Sequence, residues 1–380
     1  MAAHRIVPPM PRKLALALAA VLPLLLGTSD DMTFRQLGEV YHLRPCPRAD
    51  LGLGGNLTGP EAVGSLFRDR PETRAVLILA DGCPALKAYA PGYSDRTRFI
   101  SWSMAKTVTA MLVGALVSDG RLQLDAPAPI AEWRGTPKAA ITLRQLLQMR
   151  SGLRHVEVGD PVENSDTNQA LFVHGSDAMA AYAIAQPLEV RPGETFKYSS
   201  LTTVILAEIV ARTLTPSRDP RVRAQAYKQF AETRLFGPAG VTSAVLEFDG
   251  AGTQIGGSLM YMTLGDWGRL GMLLLDGRSR DGRPVIAPDW LAFMKAPSPN
   301  PEYGAQTWLN RAGDPSPTLF PGTGPASAVS MVGHLGQYVI ASPDSGPGRG
   351  VVVVRLGHTP DGDRGPLVRT LGEVVAGFDR

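Results

Sequence analysis

Apolar positions along this chain follow two periods, with short runs of strand length near both ends and stripes of helical spacing between them. "RAVLILADG" (74–82) and "LKAYAPG" (86–92) are separated by Asp81, Gly82 and Pro84, the pattern of a hairpin or of consecutive strands. Strand character returns at 337–342 and 350–356 around a Gly/Pro turn, and "PLVRTLGEVVAGF" predicts a terminal helix. In between, Met104, Val108, Met111, Leu112, Ala115 and Leu116 recur at i, i+4, i+7, i+8, i+11 and i+12, and Gly120 supplies the stop. "ITLRQLLQM", "LTTVILAEIVART" and "GDWGRLGMLLLDG" predict further helices. The expected fold class is α/β (α+β): an antiparallel sheet built from both chain ends and flanked by helices, with a mainly helical insertion over roughly 121–250. A binding site is expected where sheet and insertion meet, since pockets favour such junctions.

The amino terminus departs from this pattern. "HRIVPPMPRK" carries positive charge, "LALALAAVLPLLLG" is an uncharged apolar run, and "GTSDD" begins the polar chain. Residues 14–27 are shorter than the roughly 20 needed to span a bilayer, so residues 1–29 are read as a secretory signal and 30–380 as one folded unit. An uncleaved amino-terminal anchor is the alternative. The expected location is therefore periplasmic or extracellular, without further membrane contact once the signal is removed. Both cysteines, Cys46 and Cys83, fall in the exported part, where a bridge between them and two buried thiols are the alternatives.

Composition narrows the partners. The chain has 380 residues, 44% of them hydrophobic, which suffices for a sizeable core. Its 38 Lys and Arg are scattered among 35 Asp and Glu with no basic run, which argues against nucleic acid. No internal repeat stands out.

Three short stretches carry candidate chemistry. In "SWSMAK", Ser103 and Lys106 stand at i and i+3 on one helix face, close enough for a lysine to take the proton of a serine. A lysine serves as base only when neutral, and burial at the front of an apolar helix lowers its pKa. In "PGETFKYSS", a Pro-Gly turn leads to Tyr198 just before a helix, a place from which a phenol can shuttle a proton. In "VGHLGQYVI", His334, Leu335 and Gly336 precede a strand, and Gly336 allows a ligand near the backbone. One of the backbone N–H groups around Ser103 and the N–H of Gln337 are candidate oxyanion donors. His155, His174 and His358 lack metal-ligand spacing and are read as surface or helix-end polar groups. Trp102, Tyr261 and Trp308 are candidate pocket aromatics.

Ser103-Met-Ala-Lys106, Tyr198-Ser-Ser200 and His334-Leu-Gly336, in this order and separation, resemble the three motifs of the serine β-lactamase and penicillin-binding-protein family. From about Val76 onward the chain looks like its class C-related branch, which includes esterases and 6-aminohexanoate-dimer hydrolases. The resemblance implies a covalent acyl-enzyme on Ser103, with Lys106 and Tyr198 jointly moving protons and Ser200, His334, Gly336 and Tyr261 facing substrate. It requires neither metal nor cofactor. Two positions depart from the family pattern: Ser200 stands where Asn is usual, and His334 where Lys is usual. Both changes favour an ester or small amide as substrate. A D,D-peptidase or β-lactamase, and a non-catalytic penicillin-binding or sensor protein, are the alternative readings.

Overall fold

The protein is described by a computed structural model covering residues 39–41, 59–173, 175–313, 317–346 and 348–378. The expected signal segment 1–29, Cys46 and His174 lie outside the described residues.

From the amino end the strands are Glu39–Tyr41 (β1), Thr73–Ala80 (β2), Cys83–Tyr89 (β3), Arg98–Ile100 (β4), Val245–Leu246 (β5), Met260–Thr263 (β6), Trp308–Leu309 (β7), Val329–Gly333 (β8), Gln337–Ser342 (β9) and Val351–Gly357 (β10). The expected hairpin is β2–β3, turned by Asp81 and Gly82 in the left-handed region. β2 also pairs with β10, so strands from opposite ends of the chain form the centre of a seven-stranded antiparallel sheet ordered β1-β3-β2-β10-β9-β8-β7. A second sheet runs β4-β6-β5.

The central strands are apolar on both faces because both faces are covered. Side chains alternate across a strand, so Ala75, Leu77 and Leu79 of β2 join Val352 and Val354 of β10 in one core. Val76 and Ile78 join Val351 and Val353 in the other. Helices Gly59–Arg68 (α1) and, at the carboxyl end, Arg364–Ala376 cover the second core through Leu66, Phe67, Leu367 and Leu371. The first core is covered by Ala105–Ser118 (α2), Ser200–Leu214 (α3) and Leu264–Asp276 (α4).

Between Arg121 and Gly240 the described elements are helices, turns and isolated bridges. The stripe expected over 104–116 is α2, but burial there extends beyond a stripe: Ala105 to Gly114 are all buried. A helix apolar on every side is a core helix, and α2 carries Lys106 into that core. The helix from "ITLRQLLQM" is only Leu143–Leu147, started by a capping box between Thr142 and Gln145.

β8 ends against the turn that precedes α2, and the fit depends on Gly333: a Cβ there would run into the Ser101 carbonyl oxygen. Gly333→Ala is expected to destabilise the protein by about 1–3 kcal/mol, the usual effect of overpacking. Urea unfolding measures this, and an unchanged midpoint would contradict the close approach.

Candidate active site

Ser103 was expected at a helix start. The structure places it one element earlier, in a 3-10 turn Trp102–Met104, with the α-helix beginning at Ala105. In a 3-10 turn residues three apart eclipse, which turns Ser103 toward Lys106. The turn is pinned by its first residue. Ser101 N donates to Met260 O (2.8 Å), Ser101 Oγ donates to Ser258 O (3.0 Å), and Met260 N donates to Ser101 Oγ (3.1 Å). Trp102 takes a left-handed φ of 42°, a costly conformation for a side chain of this size.

Lys106 is 1% exposed. Its Nζ donates to Ser103 Oγ, Ser200 Oγ and the Gly257 carbonyl, each at 2.8 Å, which uses all three donors of an ammonium. Burial pushes its pKa down to about 8, against an opposing pull from Glu157.

Glu157 had no place in the sequence reading. It lies in a loop without a motif, yet its carboxylate accepts Ser200 N (2.8 Å), Ser200 Oγ (2.6 Å) and Thr167 Oγ1 (2.9 Å). His155 Nε2 lies 2.6 Å from the same carboxylate. Burial works to raise the Glu157 pKa, but the His155 hydrogen bond, the Lys106 charge and the Ser200 hydroxyl outweigh it and hold the group at about 2. His155 itself corrects an expectation: it is 3% exposed, not a surface polar group. Ser200, the short residue where the family has Asn, therefore does not act alone. Its hydroxyl accepts from Lys106 and donates to Glu157.

Tyr198 lies with its ring 4.9 Å from Lys106 Nζ, and its hydroxyl shares a hydrogen bond with the Ser103 side chain. Burial and the Glu157 charge push its pKa well above the usual phenol range, with the Ser103 bond opposing. Trp308 and Tyr303 pack on its ring at centroid distances of 5.5 and 5.9 Å.

His334, Leu335 and Gly336 form the β8–β9 turn, with Leu335 and Gly336 at φ 59° and 77°. His334 is half exposed, 5.5 Å from the Trp102 ring, and its Nδ1 lies 3.8 Å from Asp361 Oδ1. Gln337 opens β9 with its side chain buried: Nε2 donates to Gly357 O (2.6 Å) and Oε1 accepts Gly357 N (3.1 Å). Tyr261 lies on β6 opposite Ile100 and Val245, its hydroxyl bonded to Glu247 and its pKa raised to about 12 by burial and that carboxylate. Among the described contacts it touches none of Ser103, Lys106 and Tyr198. The "GGSLMYMT" segment instead supplies the Gly257 carbonyl. His358 is exposed, and no cluster of three metal-ligating side chains occurs among the described residues. Cys83 is buried and disulfide-bonded.

A sheet closed from both chain ends, with a core helix delivering a lysine to a serine and a tyrosine at its front, is the fold of the β-lactamases and penicillin-binding proteins, a class of hydrolases. The Beta-lactamase family model matches residues 65–373, and the chain belongs to that family. It is 23% identical over 318 residues to the 6-aminohexanoate-dimer hydrolase of Paenarthrobacter ureafaciens, covering 77% of this chain and 74% of that one. Among solved structures, a Bacillus anthracis protein assigned as a 6-aminohexanoate-dimer hydrolase superposes with a TM-score of 0.65 at 21% identity, covering 82% of this chain and 80% of that one. A family VIII carboxylesterase superposes at 0.61 with 15% identity, covering 83% and 96%.

The unprotonated amine of Lys106 is the form able to accept a proton, so activity is expected to rise with pH through the lysine pKa. Glu157 raises that pKa by favouring the ammonium. Glu157→Gln removes the charge, and the ascending limb of kcat/KM for an ester should move to lower pH. A limb that stays in place or moves upward would show that Glu157 does not act on Lys106.

Proposed function

We propose that this protein is an exported serine hydrolase that forms an acyl-enzyme on Ser103 and cleaves esters or small amides. One observation carries the reading: Lys106 Nζ stands 2.8 Å from Ser103 Oγ in surroundings that lower its pKa to about 8. Neutral Lys106 takes the Ser103 proton as Oγ attacks the carbonyl carbon, and the ammonium that forms faces Glu157. The Ser103 N–H is the oxyanion donor in this reading; Gln337, expected as the second donor, is paired with Gly333 across the β8–β9 ladder, which takes its N–H away from that role. Tyr198 donates its hydroxyl proton to the departing oxygen or nitrogen and recovers one from Lys106. Burial and Glu157 both disfavour its phenolate, which supports Lys106 as the first base. Water then attacks the acyl carbonyl and the same groups act in reverse to free the acid.

Three features favour esters and small amides over β-lactams. Ser200 offers one hydroxyl where an amide is usual, and it is already held by Lys106 and Glu157. His334 replaces a permanent cation. Asp361, beside His334, places negative charge where a β-lactam carboxylate would seek a positive one. The 6-aminohexanoate-dimer hydrolase relative keeps an amide substrate within the proposal. Export rests on the amino-terminal pattern, and the bonded state of Cys83 suits an oxidising compartment. The partner is a small molecule, not nucleic acid.

Exposure to a serine-directed fluorophosphonate should add one phosphonyl group, mapped by peptide mass to Ser103. Label on Ser101, Ser199 or Ser200 instead would sink the assignment. For substrate class, kcat/KM for p-nitrophenyl butyrate is expected to exceed that for any penicillin or cephalosporin by roughly tenfold or more at about pH 7.5, the worth of one missing charge-assisted contact. A cephalosporin turned over faster than the ester would transfer the assignment to the β-lactamase reading.

A further inference from the structure

We infer that Trp308 is a positioning residue for Tyr198, its indole holding the phenol where it passes a proton to the leaving group. The inference rests on the reading of Tyr198 as that proton donor. Tyr198 stands outside any helix or strand, on the stretch between the Pro192-Gly193 turn and α3, so neighbouring side chains must fix its ring. Other rings do so. Trp308 lies 5.5 Å away at a tilt of 31°, Tyr303 lies 5.9 Å away and edge-on, and these two meet each other at 4.9 Å. All three separations fall in the range where aromatic pairs attract. Phe196, two residues before Tyr198, packs on Tyr303 at 5.2 Å, which grips the same stretch at a second point.

The rings that hold Tyr198 are themselves tied to the rest of the site. Tyr303 and Trp308 face each other across a turn, and Trp308 continues into β7 opposite Ser330 of β8. Within that turn Gln306 is buried and takes a left-handed φ of 56°. Its backbone carbonyl accepts Thr107 Oγ1 at 2.6 Å, one residue past Lys106. Its side-chain Oε1 accepts Thr203 Oγ1 at 2.7 Å, three residues past Ser200. Its Nε2 donates to the Leu147 carbonyl at 3.0 Å. One residue thus joins the turn to α2 and α3, the helices that carry Lys106 and Ser200. A non-glycine residue at such a φ persists only where its surroundings over-determine it, and such residues gather at functional sites. Filling a core asks for no such strain, and Trp308 is only partly buried on the edge strand of the sheet. Presenting a ring at a fixed place beside Tyr198 gives both features a reason.

When the ester C–O bond breaks, the electron pair stays on oxygen. An alkoxide must take the Tyr198 proton as it leaves, whereas p-nitrophenolate departs as the anion. Ethyl butyrate and p-nitrophenyl butyrate form the same butyryl-enzyme, so their kcat/KM values differ only in the steps up to departure of the leaving group. In Trp308→Leu, kcat/KM for ethyl butyrate is expected to fall about tenfold or more further than for p-nitrophenyl butyrate, within the usual worth of a positioned general acid. Trp308→Phe keeps a ring and should hold the ratio of the two within about threefold of wild type. A fall by the same factor for both esters, or a larger loss for the p-nitrophenyl ester, would overturn the inference and leave Trp308 a structural or substrate-contact residue. A Phe variant no better than the Leu variant would do the same. Tyr198→Phe separates the two readings. If it slows both esters equally, the proposed proton donor fails and the inference with it; if it is selective and Trp308→Leu is not, only the role of Trp308 fails. Should Trp308→Leu not fold, Trp308→Met, apolar and adaptable, takes its place with the same expectation.

Discussion

Lys106 is an amine placed where an amine is least stable. It stands in the first turn of a helix buried on nearly every side, and the site is organised around making that position tolerable without making it comfortable. Three oxygens receive its donors, and one carboxylate, separated from it by the Ser200 hydroxyl, balances its charge. Direct pairing with Glu157 would hold the lysine as an ammonium. Complete isolation would strip its charge and leave a buried carboxylate uncompensated. The intermediate arrangement leaves a pKa near 8, within reach of both protonation states. The lowered pKa also bears on stability, since the unfolded chain binds this proton more readily. The resulting penalty is fully present below about pH 8 and fades as pH rises toward the ordinary lysine value.

The rest of the fold can be read as the set of elements that converge on this amine. α2 brings Lys106, the turn before it brings Ser103, and the start of α3 brings Ser200 with Tyr198 just ahead. The loop before β6 brings the Gly257 carbonyl. These groups come from three segments far apart in sequence, 103–106, 198–200 and 257, and each is fixed by packing against the first core. The β8–β9 turn reaches the same place from the sheet, held by the Gly333 contact on one side and Arg355 on the other.

What could be read from the sequence was whatever announced itself through local pattern. The β2–β3 hairpin was visible because Asp-Gly between two apolar runs specifies a turn, and α2 because its apolar spacing is helical. Ser103, Lys106 and Tyr198 were visible as an ordered set: each short pattern is ordinary by itself, and it is their order and separation, with His334-Leu-Gly336, that resembles the family's three motifs. Glu157 was not: it stands alone in a loop, and its partner Ser200 is 43 residues away. Ser200 looked like a weak substitute for Asn only while its second contact was hidden. Gly257 escaped notice because a carbonyl leaves no mark on side-chain identity. The helix boundary moved by two residues because Trp102 adopts a left-handed φ that apolar spacing does not report.

The pairing of β2 with β10 sets a condition on how the molecule comes into being. Ala80 lies opposite Val351, so the middle of the large sheet joins segments about 270 residues apart, a contact of high order that makes folding slow. During synthesis the first strands have no central partner until nearly the whole chain has emerged. Until then Val76, Ile78 and Leu79 remain uncovered on a growing chain, an aggregation hazard for a free polypeptide. The same delay would keep a chain unfolded long enough to be threaded through a narrow channel, so a topology that hinders folding during synthesis is compatible with the export proposed above.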